Sequence, residues 1–141
     1  MTKHTVIHHL ETLQSGETKK VTITALNYYE SIRYSLDLKL DIPCGARLII
    51  TQDGVRHLMN SGHLTGVGRH HRTDTNHLSD ADLSALPKIF KSPDVIKIVG
   101  KSRFGLRIKV EKQLANHHRL ILELEKHHKY FRLISFFNIN K

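Results

Sequence analysis

The chain has 141 residues, of which 22 are Lys or Arg and 13 are Asp or Glu, leaving a formal charge of +9 with the 12 histidines counted as neutral. A chain of this length folds as one domain with a real hydrophobic core, and 39% hydrophobic with 25% charged residues is a globular rather than a disordered balance. The single cysteine, Cys44, excludes an intrachain disulfide framework and a cysteine-clustered zinc site, and no apolar run approaches the ~20 residues that cross a bilayer.

Val6, Leu10 and Leu13 stand near helical spacing over residues 4–14, and Ser15-Gly16 would end such a helix. Lys20 to Leu26 (KVTITAL) alternates and is rich in β-branched residues, which predicts a strand. Asn27 to Leu38 (NYYESIRYSLDL) fits a helix with Tyr28, Ile32 and Leu36 on one face, although its three tyrosines also suit a strand. Ile42-Pro43-Cys44-Gly45 is a turn. Ala46 to Thr51 (ARLIIT) predicts a compact apolar strand, followed by a short helix carrying Val55, Leu58 and Met59.

His63 to Leu78 is a loop rich in Gly, His and Arg, and Ser79 with Asp82 three residues on has the spacing of a capping box. Leu83, Leu86 and Phe90 give the helix that follows an apolar face, with Pro87 limiting its regularity. Val95–Val99, Phe104–Val110, His118–Glu125 and Tyr130–Phe137 then alternate with period two between short turns, as a half-covered antiparallel meander does. The fold class expected is α+β, with short N-terminal helices packed on a C-terminal antiparallel sheet of about four strands. Residues 46–141 read as the main domain; residues 1–45 read as part of the same fold, with a separate module for a partner or carrier as the alternative.

A balance this basic favours polyanions such as nucleic acid, and no membrane association is expected. The opening MTKHTVIHHLETLQSG carries no continuous apolar stretch and no small-residue cleavage pattern, so the chain is expected in the cytoplasm, or delivered as an effector without a classical signal peptide.

The order of elements resembles the barnase–EndoU–colicin–RelE group of metal-independent ribonucleases, in particular its phage and toxin-type members. The resemblance rests on a strand leading into a histidine-bearing helix, then a loop, then LSDADLSALPKIFKSPDVI, and four strands ending in RLISFF. It covers roughly the C-terminal two-thirds and is greatest from His77 to Ile98. It implies cleavage of RNA through a 2′,3′-cyclic phosphate without a cofactor, and an acidic neutralising partner (antitoxin or immunity protein).

Such cleavage needs a base for the 2′-OH proton, an acid for the leaving oxygen and cations for the phosphorane. The resemblance implies a histidine from the helix after the first long strand, hence His57 or His63, and a hydroxyl or other polar residue from the closing strand, hence Ser135, which a small tolerated core serine would equally explain. Which histidine is acid and which base stays open, and capping the short helix accounts for either one equally well.

Arg69, His70 and His71 lie in a loop whose glycines allow close approach to a phosphate, though a solvated surface loop has the same composition. His70, Asp74 and His77 are metal-type ligands without diagnostic spacing, and no metal is expected. Lys101 and Arg103 in a turn, with Arg107 and Lys109 on the next strand, form a cationic strip suited to an RNA backbone, with Phe104 or Tyr130 to stack a base. An ordinary charged sheet face looks the same.

Alternation groups Ser135 with Leu133 and Phe137. The doublets His117-His118 and His127-His128 read as surface turns, and Cys44 has no nucleophile's surroundings. Two other readings stay open: a non-catalytic RNA or DNA-binding module that uses the basic sheet face, and a phage protein–protein adaptor.

Overall fold

A computed structural model describes residues 3–55 and 78–139. The first helix is α1 (Lys3–Ser15), which buries Val6, Leu10 and Leu13, and strand β1 (Lys20–Ala25) follows it. Residues 28–38 are helical, α2 (Tyr28–Leu38), and the reason lies at their start. The Asn27 side chain accepts from the Glu30 backbone N–H at 2.8 Å, and the Glu30 carboxylate accepts from the Asn27 N–H at 2.8 Å. This reciprocal cap satisfies two amides that a helix start leaves open, and so settles helix over strand for the tyrosine-rich segment. The buried Tyr34 hydroxyl donates to the Phe90 carbonyl at 2.5 Å.

Strand β2 (Arg47–Thr51) leads into helical residues 52–55. Helices α3 (Asp80–Ser84) and α4 (Leu86–Lys91) occupy the expected place, with Ser79 and Asp82 forming the expected capping box and Pro87 in the first turn of α4. Strands β3 (Val95–Ser102), β4 (Gly105–Gln113), β5 (His117–Glu125) and β6 (Tyr130–Ile139) follow.

The fold is α+β, as expected, but the sheet holds six strands among the described residues, in the order β1-β2-β6-β5-β4-β3. The two additional strands are β1 and β2. They form an antiparallel hairpin that joins the meander through a parallel pairing of β2 with β6, Leu48 against Phe131. Local alternation identifies these strands but carries no information about a partner eighty residues away.

Helices cover one face of the sheet. Between the layers lie Leu86, Ile89 and Phe90 from α4, Ile108 and Val110 from β4, Leu120, Leu122 and Leu124 from β5, and Phe131, Leu133 and Phe136 from β6. Tyr34, Phe90 and Phe131 meet with ring centroids 5.3–5.5 Å apart, in tilted to edge-on contacts.

Three expectations are corrected here. The face that α2 buries carries Ser31, Tyr34 and Leu38, while Tyr28, Ile32 and Leu36 are exposed. His118 does not lie in a surface turn: it is the second residue of β5, in phase with Leu120 and Leu122, and is only 3% exposed beside Asp82. Ser135 does not share a face with Leu133. Ile121 pairs with Ser135 and Leu122 with Leu133, so Ile134 is an extra residue on β6, and this bulge turns Ser135 to the outer face of the sheet.

Candidate functional site

The outer face is built in rows, because residues paired in register project to the same side. One row is Arg107, Glu123 and Arg132, from β4, β5 and β6. Glu123 accepts from the Arg107 Nη2 at 3.3 Å through one carboxylate oxygen and from the Arg132 Nη2 through the other. Its side chain is 6% exposed. Burial pushes the carboxyl up, but Arg132, Ser102 and Arg107 outweigh that and hold it below the usual carboxylate range. Glu123 is therefore an ionised carboxylate, shielded from water and clasped by two guanidiniums.

Aromatic rings frame this row. The Arg132 guanidinium lies 4.0 Å from the centroid of Phe104, and that of Arg47 lies 6.0 Å from Tyr130. A groove of about 300 Å³ opens over the row, lined by Arg103, Phe104, Glu123, Glu125, Lys126, Tyr130 and Arg132. A second groove, of about 290 Å³, shares Phe104 and Arg132 and extends to Thr51, Asp53 and Gly54 after β2. Gly54 sits so close to β6 that a Cβ there would meet the Leu133 carbonyl oxygen at 3.1 Å.

Two rows further along stand Glu111, Arg119 and Phe137. Glu111 accepts from the Arg119 Nε at 2.7 Å and lies 3.2 Å from the His117 Nε2 and 3.7 Å from the Lys109 Nζ. Burial again raises the carboxyl, while Arg119, His117 and Lys109 together bring it below its ordinary value. The row between the two clusters holds Lys109, Ile121 and Ser135, with Lys97 of β3 opposite Lys109.

The structure brings Arg103 to the groove and Arg107 to the side of Glu123, and puts Lys109 and Ser135 in the neighbouring row. Lys101 pairs with Leu106, which packs against the core, so it faces away from Arg107, and it lines an adjoining cleft with Arg103, Phe104 and Glu125. His57, His63, Arg69, His70 and His71 lie outside the described residues, as do Asp74 and His77. Among the described residues no set of three His, Cys, Asp or Glu is arranged to hold a metal ion, and no helix is long and apolar enough to cross a membrane.

Glu123 and Arg132 escape a sequence reading that looks for histidines. The signal was present in the alternation, which puts Arg107, Glu123 and Arg132 each on the polar phase of its own strand. What alternation leaves out is the register that sets the three side by side.

No curated protein and no solved structure matches the chain. A family model does: phage-Barnase-EndoU-ColicinE5/D-RelE like nuclease3, over residues 26–141. That match spans α2 and all but the first of the six strands, including every residue of both outer-face clusters, and the chain accordingly belongs to this family of barnase/EndoU/colicin/RelE-type nucleases.

Proposed function

We propose that the protein is a metal-independent endoribonuclease, phage-associated or toxin-like, with its active centre on the Arg107–Glu123–Arg132 row. The observation that carries this reading is the ionised, water-shielded Glu123 held between two arginines on the open face of a nuclease-family sheet. Glu123 takes the proton from a ribose 2′-OH. Arg107 and Arg132 neutralise the charge that grows on the phosphorane oxygens, an effect strongest where water is excluded. Phe104 and Tyr130 offer faces on which a base stacks. Ser135 hydrogen-bonds the scissile group from the adjoining row.

His57 or His63 serves as the acid for the leaving 5′-oxygen. Support comes from the groove wall of Asp53 and Gly54, since His57 follows within a few residues of chain. Arg69, His70 and His71 add phosphate contacts. An acidic protein that covers the groove would neutralise the enzyme.

The test is incubation of the pure protein with RNA in EDTA, followed by analysis of the ends. Products bearing 2′,3′-cyclic phosphate, lost in Glu123→Gln, are the expected result. Tight RNA binding without cleavage would instead make the protein a binding module.

A further inference from the structure

Glu111, His117, Arg119 and Phe137 play no part in the chemistry above, yet they share the face on which it would occur. Arg119 is held by Glu111 at 2.7 Å, and its guanidinium carbon lies 5.6 Å from the Phe137 ring centroid. The ion pair fixes the arginine while its outer nitrogens stay available to an anion, and the phenyl ring supplies a platform beside it. The row linking this cluster to Glu123 contains Lys97 directly opposite Lys109. Like charges opposed in register disfavour the sheet, and an anion lying across the row reverses the sign of that effect. The outer face is thus cationic from the Arg132 row to the Arg119 row, with an aromatic ring at each end.

We propose that Arg119 and Phe137 form a second nucleotide subsite, which holds a phosphate and a base of a single-stranded RNA whose scissile phosphate lies at Glu123. This rests on the ribonuclease reading given above. Glu123 and Arg119 stand four positions apart on β5. At the rise of a β-strand that is roughly 13 Å. A stacked strand covers it with about four nucleotides at 3.4 Å each, and an extended strand needs fewer. The bulge at Ile134 turns Ser135 toward the path between the two subsites. Substrates too short to reach Arg119 would therefore be cleaved less efficiently than longer ones.

The experiment uses the full-length protein and oligonucleotides of two to eight residues, all 2′-deoxy except for one ribose at the cleavage position, with that position varied. For the wild-type protein, kcat/KM should rise with length on one side of the scissile bond, by roughly 5- to 150-fold, the range that one stacked base supplies. In Arg119→Ala and in Phe137→Leu the ratio of long- to short-substrate efficiency should collapse toward one. The second variant keeps an apolar side chain and guards against loss of fold.

Cleavage without length dependence, or equal length dependence in wild type and variants, would overturn the subsite. Fluorescence anisotropy with fully deoxy oligonucleotides separates the two ideas. Length-dependent binding lost in Arg119→Ala, with no cleavage of the ribose-containing substrates by the wild type, would remove the nuclease reading and uphold the subsite.

Discussion

The His118 Nε2 lies 3.8 Å from the Asp82 Oδ1, with the two side chains only 3% and 7% exposed. Asp82 has two roles. It caps the start of α3 with Ser79, and it receives the Asn116 Nδ2 at 3.1 Å and the Asn138 Nδ2 at 3.2 Å. The pair thereby ties the start of a helix to the far ends of β5 and β6.

This tie predicts a loss of stability in acid. Burial lowers the affinity of His118 for a proton and His117 adds to that, while Asp82 and Asn138 oppose it without cancelling it. A histidine depressed in the folded state favours folding fully only above its unfolded value near 6.5, and less as pH falls from there through its folded value. Asp82 is raised by burial but brought below its ordinary value by Ser79, Asn116 and Asn138, so its contribution fades at lower pH, through the carboxylate range. Urea midpoints between pH 8 and pH 3 should fall in two stages, and His118→Gln should remove the upper one. A flat profile from pH 7.5 to 5 in the native protein would contradict the assignment.

Removing the Tyr34 hydroxyl should cost about 1–3 kcal/mol, because Tyr34→Phe leaves a buried carbonyl without its donor and keeps the ring contacts with Phe90 and Phe131. Denaturant unfolding gives the value directly. No measurable change would mean that the bond is replaced by water.

Gly105 should tolerate no side chain. Its φ is +152°, and a Cβ would lie 1.9 Å from the Leu124 carbonyl oxygen, in the backbone of the neighbouring strand. Gly105→Ala should destabilise by about 1–3 kcal/mol or more, as overpacking does. Because Phe104 precedes this glycine and rests on Arg132, cleavage should decline further than the unfolded fraction explains. Activity that tracks the folded fraction alone would show that the turn does not position the ring.

Two exchanges separate proton transfer from charge at the proposed centre. Glu123→Gln should lower the cleavage rate by ~10²–10⁴-fold, with RNA affinity equal to or above that of the native protein. Arg132→Gln should weaken both rate and affinity, and should reduce the slope of log affinity against log salt by about 0.7, the share of one phosphate on a single strand. A Glu123→Gln protein that cleaves at the native rate ends the assignment, and attention would turn to His57 and His63, one of which is predicted to lose ~10²–10⁴-fold on replacement by Ala.

Much of the fold is legible in local patterns. The four C-terminal strands announce themselves by alternation, and the Ser79–Asp82 box by its spacing. The Asn27–Glu30 spacing is equally legible, and it favours helix over strand for the residues that follow. His118 shows where doublets mislead. Read with His117 and the preceding Asn116 it looks like a turn, but counted back from Leu120 in steps of two it belongs to the buried face.

The bulge at Ile134 has no local signature, since RLISFF alternates without a break, and a one-residue insertion decides which way Ser135 points. The pairing of β2 with β6 and the register of Arg107, Glu123 and Arg132 are likewise matters of long-range assembly. For that reason alternation puts Arg107 and Lys109 on the polar phase of β4 but does not set Glu123 and Arg132 beside them.

The place of β6 carries a consequence for the order in which the molecule becomes competent. This strand lies between β2 and β5 in space but follows both in synthesis. A nascent chain that ends before Tyr130 already has Arg107 and Glu123, yet it lacks Arg132. It also lacks the strand through which, among the described residues, the β1–β2 hairpin joins the sheet, and isolated hairpins are marginal in water. The groove floor and the β1–β2 edge of the sheet are therefore completed by one event, the arrival of β6. The proposed nucleic-acid face is therefore whole only once β6 has been delivered.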